Sequence, residues 1–307
     1  LRPCVDFRPL NNITIPDPYP IPRMDKTILR VAGQTFYSTL DLASGFWQIP
    51  LDSESSYKCG IVTPWGLYQM VKLPFGLRNA PSIFQRTMDK ALEGIRNVTV
   101  YIDDILVHTN TEEEHLETLE KVFCRLNEFG LKLKREKCEF LKNECTYLGH
   151  ILNGKGYRPS LNNQEVIEGF PEPENAREVK RFLGMMSFFR KFIQNFAEIA
   201  NPLQQLTKKS LNLYGKSRKE AFGKLKNFTE CQCLRAPNYE LPFYLFTNAS
   251  AIAYAGALMQ SQNGNDLYSV GYWSRTLSTT ESKLQPTHGE LAAIVHAVEN
   301  FRHYLVG

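Results

Sequence analysis

The 307-residue chain has no apolar run of the roughly 20 residues needed to cross a bilayer, and no stretch built like a secretory signal. No membrane partner is expected. Its seven cysteines are odd in number and irregularly spaced, which excludes a complete disulfide framework. Cys231 and Cys233 stand too close for a C-x-x-C zinc knuckle, so reduced thiols in an intracellular setting are expected. Charge of one sign is scarce as well: 36 Lys and Arg against 32 Asp and Glu leave a net +4. That excess does not by itself demand a nucleic-acid partner, although clustered cations allow one. Internal repeats and low-complexity segments are absent. There is no initiator methionine, and the opening "LRPCVDFRPLN" begins inside a pattern, as a fragment does.

What is present is ample core. With 43% hydrophobic and 22% charged residues the chain has the composition of a folded protein of about two domains. Residues 36–71 read as short strands, "FYSTLDL", "WQIPL", "YKCGIV" and "LYQMV". Residues 79–94 read as a helix capped by Asn79. "TEEEHLETLEKVFCRLNEFG" is an amphipathic helix with Thr111 as cap, acids in the first turn and Gly130 past its end; "EFLKNECTYLGHILN" returns to strand. Beyond "NGKGYRPS" the texture is helical in "NAREVKRFLGMMSFFRKFIQNF", "NPLQQLTKK" and "SRKEAFGKLKNFTECQCL". From Pro242 three strands follow, "FYLFTNAS", "AYAGALMQ" and "YSVGYWSR", and then a long helix over "HGELAAIVHAVENFRHYL". Boundaries are expected near 160 and 240.

Chemistry concentrates in the acids. "VTVYIDDILVH" sets Asp103 and Asp104 between two apolar, β-branched runs. A plain hairpin turn accounts for such a pair, since Asp is a common turn residue. Strands apolar on both sides instead suggest a buried hairpin, where adjacent carboxylates repel unless a cation neutralises them. A third acid, Asp41, closes the apolar strand "FYSTLDL" and precedes the small-residue turn Ala43-Ser44-Gly45. It either caps that turn or joins the pair. Three carboxylates from neighbouring strands suit a two-metal phosphoryl-transfer site. The stretches "LKLKREKCEFLK" and "REVKRFLGMMSFFRKF" are basic with interleaved aromatics, which fits either a solvated face or a phosphate-binding one.

These motifs together resemble the reverse transcriptases of gypsy-class LTR retrotransposons. The matching stretches are "CVDFRPLNNITIPDPYPIPR", "YSTLDLASGFWQIPL", "LPFGLRNAPSIFQRTMD", "VYIDDILVH", "YLGHIL" and "FLGMMSFFRKFI". A later set, "FTNASAIAYAGALM", "YWSRTLS" and "ELAAIVHAVENFRHYL", resembles the start of the ribonuclease H domain that follows the polymerase in that family. The resemblance implies an α+β right-hand fold: partial fingers and an antiparallel palm sheet over 1–160, thumb and connection over 161–240, and a truncated ribonuclease H-like α/β domain over 241–307. It implies RNA- and DNA-directed DNA synthesis from dNTPs on a primed RNA or DNA template. Two Mg²⁺ ions, for which Mn²⁺ can substitute, would be held by Asp41, Asp103 and Asp104. Phe46 would sit under the incoming sugar and exclude a 2′-hydroxyl. Arg2 would face the triphosphate and Gln85 the templating strand. Tyr147 and Gly149 of "YLGH" would hold the primer end, and Lys180, Arg181, Arg190 and Lys191 would be available to phosphates.

The resemblance fails at one motif. The family's first ribonuclease H carboxylate lies in "TDAS"; this chain reads "TNAS", with Asn248, while Glu290 matches the second carboxylate and the others would lie beyond Gly307. A neutral amide brings no charge to a metal, so ribonuclease H activity is expected to be lost. The sequence leaves open an inactive nucleic-acid-binding remnant and, more remotely, a nuclease acting through the C-terminal region.

Overall fold

The computed structural model describes residues 5–208, 216–227 and 233–306; Arg2 and residues 228–232 of the "SRKEAFGKLKNFTECQCL" stretch, Cys231 among them, lie outside these. The chain divides into two compact units, 1–148 and 149–307. The division thus falls near 148, and the helical stretch after 160 shares a unit with the strands after 242. Contacts distant in sequence account for this: the Ala197 N–H donates to Ser274 Oγ at 2.9 Å, and Tyr157 and Leu234 form an antiparallel bridge.

In the first unit, α1 (Arg8–Ile13) and α2 (Met24–Val31) lead into β1 (Phe36–Asp41). Then come α3 (Ser53–Lys58), β2 (Gly60–Thr63), β3 (Gly66–Gln69), α4 (Ala80–Ala91), β4 (Val98–Tyr101), β5 (Asp104–Thr109), α5 (Glu112–Glu128), β6 (Glu139–Lys142) and β7 (Glu144–Tyr147). The main sheet runs β4-β5-β1-β6, with the pairs β4–β5, β5–β1 and β1–β6 all antiparallel. On one face lies a core of Leu40, Phe84, Met88, Ile105, Val107, Leu119, Val122 and Leu126, so α4 and α5 cover that side. Every residue from Ile105 to Thr109 is buried, as a central strand with both faces covered requires.

Local chemistry explains the elements. Thr111 accepts from the Glu114 N–H, three acids occupy the first turn of α5, and Gly130 follows it at φ +67°. Asn79 precedes α4 but does not cap it. Its amide instead accepts from the Asp17 N–H and donates to the Ile15 carbonyl, tying the N-terminal segment to α4. Two strand expectations give way. Trp47 and Gln48 of "WQIPL" belong to a 3-10 turn over 45–48, and Tyr57-Lys58 close α3, because Asp52 caps Ser55 through both its N–H and its hydroxyl.

The second unit holds the hairpin β8 (His150–Asn153) and β9 (Gly156–Pro159), then α6 (Leu161–Glu168), α7 (Ala176–Met186), α8 (Phe196–Lys208) and α9 (Lys216–Lys226). The long helix expected over 175–196 is broken between α7 and α8. Ser187 turns its hydroxyl back to the Gly184 carbonyl, and Asn195 adopts φ +56°. The antiparallel meander β10 (Phe243–Ala249), β11 (Ala253–Ser261) and β12 (Leu267–Thr276) follows, and α10 (Pro286–Leu305) packs on it. Among the described residues no helix is long and apolar enough to cross a membrane, and Cys59, Cys124, Cys138 and Cys145 are free thiols.

Candidate active site

Strand register gathers the three acids. Asp41, the last residue of β1, lies directly across from Asp104, the first of β5, and Asp104 is in turn opposite Tyr101 at the end of β4. Asp103 sits in the two-residue turn between β4 and β5. All three therefore stand at one end of the sheet. Among the described residues, no group of three or more His, Cys, Asp or Glu is spaced to hold a metal ion as it stands.

The turn is strained. Two-residue hairpin turns of the favoured kinds need a positive φ at their first central residue, a place glycine usually takes. Here Ile102 holds it at φ +56°. A β-branched residue there costs about 1–3 kcal/mol and persists only where its surroundings fix it. The Ile102 N–H donates to Gln85 Oε1 at 2.7 Å, and Tyr147 donates its hydroxyl to the Asp104 carbonyl at 3.3 Å.

The Asp41 side is fixed by the segment at 132–134. The Lys134 N–H donates to the Asp41 carbonyl at 2.8 Å and the Ala43 N–H to the Lys132 carbonyl at 2.9 Å. Gln48 adds bonds to Ala43 and Lys132 that hold the 43–48 turn. That turn enters through Ser44 at φ +58°, and Gly45 then passes so close to the hairpin that a Cβ on it would lie 3.3 Å from Asp103 Cβ.

Electrostatically the site is short of positive charge. Lys137 donates from Nζ to Asp41 Oδ2 at 2.9 Å. Asp104 is open to solvent on one side. Its carboxyl is nonetheless pushed up to about 6, first by lost hydration against the surrounding protein and then by the charges of Asp103 and Asp41, with Lys137 pulling it down.

The other expected site residues are scattered. Phe46 is half-buried on the 45–48 turn, its ring 5.1 Å from that of Phe75 and 5.0 Å from that of Phe84. Gln85 is wholly buried beneath the hairpin, with its amide spent on Ile102, Asp89 and Val100. Tyr147 is likewise buried, its hydroxyl on the Asp104 carbonyl. Gly149 is a left-handed turn residue at φ +75°.

Of the four cations expected to face phosphates, Lys180 and Arg181 lie exposed on α7. Arg190 bonds the Ser274 carbonyl, and the Lys191 ammonium lies 5.1 Å from the centre of the Tyr157 ring. Asn248 is exposed on β10 and Glu290 near the start of α10; strand and helix meet where Gly289 approaches Ala249. Lys137 escaped the sequence reading because it lies in a run of cations, where nothing distinguishes it from solvated neighbours. Gln85 carried a signal, a polar residue set among Phe84, Met88 and Ala91 on the apolar face of a helix.

Comparison with known proteins follows the same lines. The reverse transcriptase (RNA-dependent DNA polymerase) family matches residues 1–152, and the RNase H-like domain found in reverse transcriptase matches residues 214–307. The chain is 41% identical over 311 residues to the retrovirus-related Pol polyprotein from transposon 297 of Drosophila melanogaster, and 34% identical over 322 residues to that from transposon gypsy. Each match takes in 100% of this chain but only 29% and 31% of the respective polyprotein. Among solved structures, a foamy viral protease-reverse transcriptase in complex with dsDNA matches with a TM-score of 0.90 at 25% identity, covering 100% of this chain and 64% of that one. The same kind of protein in complex with an RNA/DNA hybrid matches with a TM-score of 0.81 at 26% identity, covering 96% of this chain and 40% of the other. The chain belongs to the reverse transcriptases, with an RNase H-like domain, and is related to the Pol polyproteins of gypsy-class LTR retrotransposons.

Proposed function

We propose that this chain carries the polymerase centre of a retrotransposon Pol protein and extends a DNA primer from dNTPs on an RNA or DNA template. The observation that carries this reading is the register that sets Asp41 across from Asp104 with Asp103 in the adjoining turn. The donor set suits a hard divalent cation. Its oxygens are carboxylate oxygens, and Asp104, raised first by burial and then by the charges of Asp103 and Asp41, would be favoured in its ionised form by a bound cation. Mg²⁺ suits such donors in particular, because it takes one or two carboxylates and completes its shell with water and substrate phosphates. Bound there by Asp41, Asp103 and Asp104, two such ions would supply charge neutralisation for a triphosphate and activation of a primer hydroxyl.

The chain's own residues do the rest. Lys137 keeps a proton-bearing cation against Asp41 and limits repulsion among the carboxylates before substrate arrives. Phe46, held on edge by Phe75 and Phe84, offers a rigid ring to the incoming sugar and leaves no room for a 2′-hydroxyl. Lys180 and Arg181, exposed on α7, meet backbone phosphates; Arg190 and Lys191 serve the unit's own packing. Nucleic-acid duplexes as partners follow from the foamy viral relatives in complex with dsDNA and an RNA/DNA hybrid. Hybrid cleavage is not part of this reading, because Asn248 contributes no charge where the family has a carboxylate.

The test is incorporation of a dNTP on a primed template in Mg²⁺. Asp103→Asn should lower the rate by about two orders of magnitude or more while binding of primer–template changes little, since binding rests on phosphate contacts. Extension by the variant at the wild-type rate overturns the assignment. A wild-type chain that binds duplex but never extends it supports an inactive remnant instead.

A further inference from the structure

Two buried side chains bond the backbone of the hairpin turn that carries Asp103. The Ile102 N–H lies outside the β4–β5 ladder, so strand pairing does nothing for it. Its partner is Gln85 Oε1 at 2.7 Å. The orientation of that amide is settled by its surroundings, because Gln85 Nε2 faces two acceptors, Asp89 Oδ1 at 2.9 Å and the Val100 carbonyl at 3.3 Å. Turned the other way, the amide would set N–H against N–H and oxygen against oxygen. Asp89 is itself held by the Tyr19 hydroxyl at 2.6 Å. A hydrogen-bonded chain thus runs from the N-terminal segment through α4 to the turn. At the far side of the turn Tyr147 donates to the Asp104 carbonyl.

We propose that Gln85 and Tyr147 are positioning residues that clamp the Ile102–Asp103 turn, holding Asp103 and Asp104 in the register the reaction requires. This rests on the polymerase reading above. Ile102 has no glycine's freedom at φ +56°, so the turn keeps its shape only while something outside the hairpin holds it. Losing the clamp lets the turn relax toward conformations an isoleucine prefers, and both carboxylates move with it. Substrate binding, which uses other groups, is spared.

The experiment uses the full chain with Gln85→Met, which keeps the volume and removes the acceptor, and Tyr147→Phe, which removes only the hydroxyl. Single-nucleotide extension should show kcat lowered by roughly tenfold or more in each, with KM for the dNTP within about twofold. Amide hydrogen exchange supplies a readout that does not need activity. In Gln85→Met the Ile102 amide should exchange roughly tenfold faster, while the Ile105 and Val107 amides of the ladder keep their protection. An unchanged Ile102 exchange rate, or a kcat within about twofold of wild type in both variants, overturns the proposal. If Gln85→Met does not fold, the kcat-against-KM split of Tyr147→Phe decides. Asp103→Asn is run in parallel: should it extend primers normally, the polymerase reading falls, and Ile102 exchange still decides whether Gln85 holds the turn.

Discussion

Replacing Gly45 with alanine should separate the geometry of the site from the stability of the fold. A Cβ at Gly45 would stand 3.3 Å from Asp103 Cβ and 3.3 Å from Phe84 Cζ, where carbon atoms prefer about 3.5–4.0 Å. Relief therefore needs a shift of roughly 0.3–0.5 Å by one neighbour or the other. Phe84 is wholly buried and braced by the Phe46 ring, whereas Asp103 is exposed on its turn, so Asp103 gives way. Gly45 is not among the residues with positive φ, so alanine meets no backbone strain there. Overpacking costs about 1 kcal/mol, at the low end of its range because a surface turn yields, and removing a glycine returns about 0.5 kcal/mol from the unfolded chain. Net stability should barely change. If a 1 Å misplacement lowers rate about a hundredfold, a shift of a third to half an ångström lowers it roughly five- to tenfold. Pre-steady-state incorporation of one dNTP measures the rate, and a urea titration of the same sample measures stability. Incorporation at the wild-type rate refutes the argument, and so does a loss of rate that merely tracks a loss of fold.

Acidification should destabilise the first unit through His108. Burial first, and then Arg30 and His115, lower it from the ordinary 6.5 to about 4, so the unfolded chain takes up the proton first and stability falls as pH drops from 6.5 to 4. The loss should reach about 3 kcal/mol in urea titrations, and His108→Gln should flatten that slope. Phe46→Ala should lower the ratio of specificity constants for dNTP over rNTP by about tenfold or more; an unchanged ratio makes the ring simple packing against Phe75 and Phe84. The polypeptide should leave a 5′-labelled RNA strand intact in an RNA–DNA hybrid, and cleavage that Glu290→Gln abolishes would refute the weight placed on Asn248.

What the sequence made legible was whatever depends on near neighbours. Apolar, β-branched runs and the turn acids marked β4 and β5, and Thr111, three glutamates and Gly130 bracketed α5. The carboxylates followed, since an Asp that ends an apolar strand has few places to go except the sheet's end. Misreadings arose where a short polar signal competed with a β-branched or aromatic run. Asp52 and Ser55 nucleate α3 across residues that resemble a strand, and Asn195 breaks an otherwise continuous amphipathic pattern. Distance in the chain hid the rest: Lys137 meets Asp41 from 96 positions away, and Ala197 meets Ser274 from 77.

Gln85 belongs to a third kind, visible in residue type but not in purpose. A glutamine on the apolar face of α4 has to be satisfied, yet nothing within four residues says more than that Asp89 takes one of its protons. The complementary clue lies in the hairpin. A two-residue turn whose first central position is isoleucine, not glycine, calls for an outside donor or acceptor to hold it, just as a buried amide calls for partners. Neither requirement identifies the other when each is considered alone. Taken together, a strained turn lacking its glycine and a helix with one polar residue too many form a matched pair. A search for such pairs would bring into view the supporting residues of an active site, which a motif of catalytic carboxylates leaves unnamed.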